Sequence, residues 1–232
     1  MIRDSIDYLT DSDTGMTTVV LGGLLTLFGI FIIPALVVEG YLVRVLHETE
    51  RGNTEAPTFS KWVRLAVDGL KAVVIGIVYG LVPAVIAMVF AGSGALMLSG
   101  GNADFLGGVT FLFGSLLTLF AIVAVWYVYP AAIARFAEKE SMSAAFHFSA
   151  LRPIVTKEAY ATGWLMALVV LLVGGIVVSL LAVVPILGWI GAVFVAFYAQ
   201  VAAYYIYGRA YGEASGMAPG EETPVEGEQP VV

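Results

Sequence analysis

The stretch 29–52, GIFIIPALVVEGYLVRVLHETERG, decides how this chain is read. It is apolar as far as Val38, carries Pro34 in its middle, meets Glu39, and passes Tyr41 and Arg44 before turning polar at Glu48. The same pattern recurs along the chain, because 16–38, 72–103, 105–134 and 159–208 hold no charged residue. A helix needs about 20 apolar residues to cross roughly 30 Å of hydrocarbon. The first three runs therefore hold one span each. The fourth holds two, with a turn in AVVPILGWIG around Pro185 and Gly188.

Composition agrees with residence in lipid, since 59% of the chain is hydrophobic and 12% charged, against roughly 25% charged in an ordinary soluble domain. Backbone groups in lipid must be satisfied within a helix or a closed barrel. The long unbroken runs lack the alternation of barrel strands. The expected fold is all-α: a polytopic transmembrane helical bundle of about five spans, 17–46, 71–98, 105–135, 159–183 and 187–210, with short amphipathic interfacial helices. TFSKWVRLAVDGLKAVV repeats Phe59, Trp62, Val63, Ala66 and Leu70 at helical spacing, SMSAAFHFSALRPIV does so less cleanly, and Ile2, Ile6 and Leu9 hint at a third. The remainder, 213–232, is rich in Glu, Gly and Pro and reads as a disordered acidic cytoplasmic tail.

Charge sets an expected orientation. Arg44, Arg51, Lys61, Arg64 and Lys71 lie in or beside the first long connection, and Arg135, Lys139, Arg152 and Lys157 flank the second. The positive-inside rule puts both, with the C-terminus, in the cytoplasm of a multi-pass cell-membrane protein. Five spans leave the N-terminus outside. A re-entrant hairpin over 17–46 would instead keep it inside, since thirty helical residues are about 45 Å long and cannot cross twice. The segment before the first run has one Arg and four Asp, unlike the basic start of a cleavable signal.

Candidate polar sites are few. Glu39 lies about a turn inside the apolar run, shallow enough to stay hydrated at the interface; otherwise it calls for a partner from another helix, such as Arg135 or Tyr207, or for a proton- or cation-coupling role. Gln200 is the other polar residue deep in a span, placed for an interhelical hydrogen bond. Asp68 and Lys71 are three apart at the entry to the second span. With Arg44 and Arg64 they can line a cytoplasmic vestibule for an anionic ligand or a phospholipid headgroup, or simply anchor the helix at the interface. Gly76 and Gly80 in GIVYG, and the pairs Gly22 and Gly23, Gly107 and Gly108, and Gly174 and Gly175, offer close helix contact.

His47 and His147 form no ligand-spaced motif, no cysteine occurs, and AGSGA around Ser93 lacks the setting of a nucleophile elbow. No catalytic constellation, cofactor or metal is expected, and the acidic chain, net charge -7, is not expected to bind nucleic acid. The expected role is noncatalytic organisation within the membrane, with lipids, a second copy or other membrane proteins as partners. The alternative is a small transporter or permease using Glu39.

Residues Gly22, Gly23, Pro34, Gly40, Tyr41, Arg44, Gly52, Pro57, Trp62, Asp68, Gly69, Leu70, Lys71, Tyr79 and Pro83, in that order, carry a resemblance. On them the chain resembles a domain-of-unknown-function family of small polytopic membrane proteins common in archaea, especially halophiles. The resemblance covers most of the chain and is specific in its first third. Lys61 departs from the acidic residue that often precedes the tryptophan in that pattern. The resemblance implies a haloarchaeal cell-membrane protein and brings no activity or catalytic residue.

Overall fold

Leu27 ends one helix and Ile32 begins another, so the stretch expected as one span over 17–46 folds as two. The computed structural model describes residues 1–10, 12, 15–99 and 105–217, and all its elements there are helical. In chain order they are α1 (Ile2–Thr10), α2 (Gly15–Leu27), α3 (Ile32–Glu50), α4 (Trp62–Ile86), a π-helical turn (Ala87–Gly92), α5 (Ser93–Ser99), α6 (Phe105–Lys139), a 3₁₀ turn (Met142–Phe146), α7 (Phe148–Val155), α8 (Glu158–Leu181) and α9 (Leu187–Ser215). Four units are long and apolar enough to cross a membrane: Trp62–Ser99, Phe105–Lys139, Glu158–Leu181 and Leu187–Ser215.

The break comes at Phe28–Phe31 and not at the proline. Pro34 stands in the first turn of α3, where its missing N–H has no intrahelical partner to lose. Pro83 and Pro130 sit inside α4 and α6, and the π turn follows a few residues after Pro83. The direction of each limb follows from its neighbours. Gly22 meets Phe197 and Gly23 meets Phe194, so α2 runs against α9. Tyr41 lies beside Phe197, with ring centroids 5.9 Å apart, and the Glu50 backbone lies against Gly212, so α3 runs with α9. Together α2 and α3 make an antiparallel hairpin whose bend exposes Phe28, Ile30 and Phe31.

Glycine sets how closely α3 sits. A Cβ at Gly40 would meet the Leu65 carbonyl and one at Gly69 would meet the Leu36 carbonyl, so α3 and α4 touch backbone to backbone. On its other side α3 rests on Gly208 and Gly212 of α9. Of the pairs singled out from sequence, Gly22, Gly23, Gly107 and Gly174 make close contacts. Gly76 lies beside the Tyr129 ring, while Gly80, Gly108 and Gly175 face open space.

The amphipathic segments also differ from expectation. The one around Trp62 is no separate surface helix but the first turns of α4. The segment 142–155 does form its own short helices, and α1 buries Tyr8 and Leu9 while exposing Ile2 and Ile6. The helix α9 takes in the first three residues, 213–215, of the expected tail, and 218–232 lie outside the described residues.

The core gathers at the charged end of the bundle. Tyr41, Leu46, Ile133, Tyr160, Ile206 and Tyr211 are buried there. Large apolar side chains such as Val85, Met88, Leu112, Phe120, Leu172 and Leu187 stay exposed along the rest of the spans. An aqueous protein does not leave that much contiguous apolar surface uncovered. This is a membrane-embedded helical protein.

Candidate functional site

A Schellman turn closes α3 and opens a large cavity at the charged end. The Gly52 N–H donates to the Thr49 carbonyl at 3.0 Å and the Asn53 N–H to the Glu48 carbonyl at 3.1 Å, with Gly52 at φ 86°. The chain then folds back over α3 as the loop 51–61. Phe59 stacks on Tyr41 with centroids 4.1 Å apart, and one terminal nitrogen of Arg44 donates to the Thr58 and Ser60 carbonyls, each at 3.0 Å. Between α3, this loop, the start of α4 and the end of α6 lies a cleft of about 1290 Å³.

Three of the five residues expected to form a site meet in it: Arg44, Asp68 and Lys71 all line the cleft, with Arg64 beside them. Asp68 holds Lys71 at 3.4 Å and the Arg64 Nε at 3.6 Å, while the other end of the Arg64 guanidinium reaches Glu140 at 2.7 Å. Lys71 also lies 5.9 Å above the Phe136 ring. Arg44 is different, because its ties are to backbone carbonyls and the Ser60 hydroxyl and not to a carboxylate. Burial, and next the charge of Arg64, hold its guanidinium below the usual range, with Asp68 and Glu48 pulling the other way.

The other two residues lie elsewhere. Glu39 is half-buried on α3 and makes no side-chain hydrogen bond or ion pair among the described residues. The partners expected for it are engaged otherwise: Arg135 holds Glu138 at 3.4 Å, and Tyr207 packs edge-on against Tyr204. Gln200 is half-buried on α9, and no side-chain hydrogen bond reaches it among the described residues, so the expected interhelical bond does not form. The histidines are separate, His47 on Glu50 at 3.1 Å and His147 on the Ser143 carbonyl at 2.7 Å.

A second polar cluster escaped the sequence reading. Glu50 is fully buried, with Oε1 on His47 and Oε2 without a hydrogen-bond partner. Burial raises its carboxyl above the usual range, His47 lowers it, and Glu138 adds to the rise. Glu138 in turn accepts from the Tyr211 hydroxyl at 2.8 Å and pairs with Lys139 at 2.6 Å. The i, i+3 spacing of His47 and Glu50 is visible in the sequence. Nothing local ties either residue to Glu138 or Tyr211, which arrive from α6 and α9.

The family model of a protein of unknown function, DUF4013, matches residues 23–183. That is more than half of the chain, and the chain belongs to this family. The matched segment holds the whole cleft and leaves out all of α9. No curated protein and no solved structure matches the chain.

Proposed function

We propose that this DUF4013 member is a noncatalytic protein of the cell membrane that organises the cytoplasmic leaflet and the components embedded in it. The observation that carries the proposal is the α2–α3 hairpin. Its limbs have 13 and 19 residues, and only the seven residues 32–38 of the second are uncharged before Glu39, against roughly 20 apolar residues needed to cross. Its bend is apolar and exposed, while α2 starts and α3 finishes toward the charged end. Such a hairpin enters and leaves by one face. The N-terminus, the loop 51–61, the 140–157 connection and the end of α9 then share that face. Their Lys and Arg residues make it cytoplasmic. This four-span reading replaces the five-span one. The acid excess, net charge -7, supports the archaeal, salt-adapted setting that the resemblance implies.

The chain has no cysteine, so single cysteines can be placed at Arg3, Ile30, Asn53 and Val183 and probed with impermeant reagent in intact cells. Labelling at Val183 alone is expected, with Arg3 and Asn53 reacting once the cells are opened and Ile30 in neither case. Labelling of Arg3→Cys from outside overturns the hairpin. A second reading, a small transporter, rests on Glu39, which is half-buried and has no ion-pair partner among the described residues. Solute uptake by reconstituted protein that vanishes in Glu39→Gln would establish the transporter in place of the organiser.

A further inference from the structure

We propose that the cleft between α3, the loop 51–61 and α4 binds a phosphate-ester anion, and that the anion is the headgroup of an acidic phospholipid whose chains lie along α4. The proposal rests on the reading above, in which this end of the bundle lies at the cytoplasmic interface.

Formal charge in the cleft is balanced, with Arg44, Lys61, Arg64 and Lys71 against Glu48, Glu55, Asp68 and Glu140. The pairing is uneven. Asp68 is held by Arg64 and Lys71 and Glu140 by Arg64, whereas Glu48, which accepts from Asn53 at 3.1 Å, and Glu55 have no cation within 4.0 Å among the described residues. Arg44 and Lys61 are left without a carboxylate within 4.0 Å among the described residues. One Arg44 nitrogen is pinned by the Thr58 and Ser60 carbonyls, so the guanidinium is fixed in place while its other N–H groups remain for a ligand. A planar guanidinium fixed beside a second one matches the fork geometry of phosphate oxygens. An anion there would also relieve the repulsion between Arg44 and Arg64.

The wall of the cleft tells a lipid from free phosphate. Val63 and Val67 line the cavity and are exposed. They continue as Leu70, Val74 and Ile77, all exposed, down the same side of α4 into the uncharged run. From Val63 to Ile77 this stripe is about 21 Å long at 1.5 Å per residue. Trp62 stands at its top, where an indole meets headgroups. A headgroup in the cleft thus has an apolar track for its chains, which inorganic phosphate cannot use.

The test uses the full chain in nonionic detergent, with binding followed by native mass spectrometry. The probes are dioctanoyl phosphatidylglycerol, dioctanoyl phosphatidylcholine, and inorganic phosphate as a competitor. The wild type should retain phosphatidylglycerol, bind phosphatidylcholine at least about tenfold more weakly, and release little lipid to phosphate. Arg44→Gln should weaken phosphatidylglycerol roughly tenfold or more, as loss of a charged hydrogen bond implies. Because Arg44 also holds the loop, Lys61→Gln supplies the variant that leaves the fold intact, with a loss of about threefold, while Lys157→Gln on the far connection changes nothing. Equal binding of the two lipids, or no loss in either Arg44→Gln or Lys61→Gln, overturns the site. Full displacement by phosphate overturns the lipid as the source. None of these outcomes depends on the side of the membrane, so a failed cysteine map and a failed lipid site remain distinct results.

Discussion

Two helical hairpins in this molecule are built from similar residues and do different things. In α8–α9 the limbs have 24 and 29 residues and the turn at 182–186 separates two crossings. In α2–α3 the limbs have 13 and 19 residues, and the second turns polar after Glu39. Both bends are apolar and open, with Val183 78% and Ile30 89% exposed. What separates them is length and support. The α8–α9 hairpin is continuous helix down to its turn, whereas α3 is wedged between α4 and α9 by close contacts at four glycines, Gly40, Gly69, Gly208 and Gly212. A short hairpin persists in lipid only if its neighbours bury the broken backbone.

The largest effect should follow from removing that wedge. Gly69→Leu drives a side chain into the Leu36 carbonyl, which cannot move without shifting α3. A loss above about 4 kcal/mol, or no folded protein, is expected in detergent unfolding. Gly175→Leu, on the spanning hairpin and facing open space, should stay within about 0.5 kcal/mol. Equal losses at the two sites would erase the distinction between a wedged hairpin and a spanning one.

Next in size is a charge at each bend. Ile30→Asp places a carboxylate inside hydrocarbon and should oppose insertion by roughly 2–3 kcal/mol. Val183→Asp meets interfacial water and should cost little. Side-chain packing cannot account for the difference, because both residues are exposed. A glycosylation-reporter insertion assay reads it, and equal costs would mean that the α2–α3 bend reaches water.

How much of this was legible beforehand divides along the same line. Uncharged runs located the four long apolar helical units to within a few residues, except that the first begins at Trp62, because an unbroken 20-residue apolar segment has few ways to satisfy its backbone. The first run, 16–38, passes the same test and fails in the structure. Its break at Phe28–Phe31 carries only Gly29 as a local signal, and Pro34, the louder one, begins a helix. The α3 contacts with Gly69 and Gly208 come from other helices and cannot be read from a local window. The cleft was half legible: Asp68 and Lys71 share a helix, but Arg44 joins them only through the fold of the 51–61 loop. Glu39 and Gln200 stood out as polar residues in apolar runs, a pattern that does not say what faces them.

The buried end of α3 gives a pH test of the same wedge. The Glu50 carboxyl is raised in the folded protein by burial, so folding favours its protonated form. Its contribution is present in full below the unfolded value near 4.3, and is lost as pH rises through the higher folded value. Acidification within that window should therefore stabilise the wild type through this residue. Glu50→Gln, which mimics the protonated acid, should be the more stable protein at neutral pH and show a flatter stability profile there. Detergent melts of both proteins across that range check the sign, and an identical pH slope in the two would remove Glu50 as its source.

The smallest effect concerns how two helices leave the charged end. The turn after α3 uses Gly52 at φ 86°, where glycine carries no steric penalty, and the turn after α6 uses Glu140 at φ 50°, where any side chain does. Glu140 also pairs with Arg64 at 2.7 Å, with both side chains more than half exposed, which limits that pair to about 0.2–1 kcal/mol. Left-handed backbone costs a non-glycine residue about 1–2 kcal/mol. Glu140→Ala loses the pair and keeps the strain, so it should fall by no more than about 1 kcal/mol. Glu140→Gly loses the pair and relieves the strain, so it should match or exceed the wild type. If thermal unfolding shows the glycine variant below the alanine variant, the backbone penalty is absent and the two helix ends are equivalent.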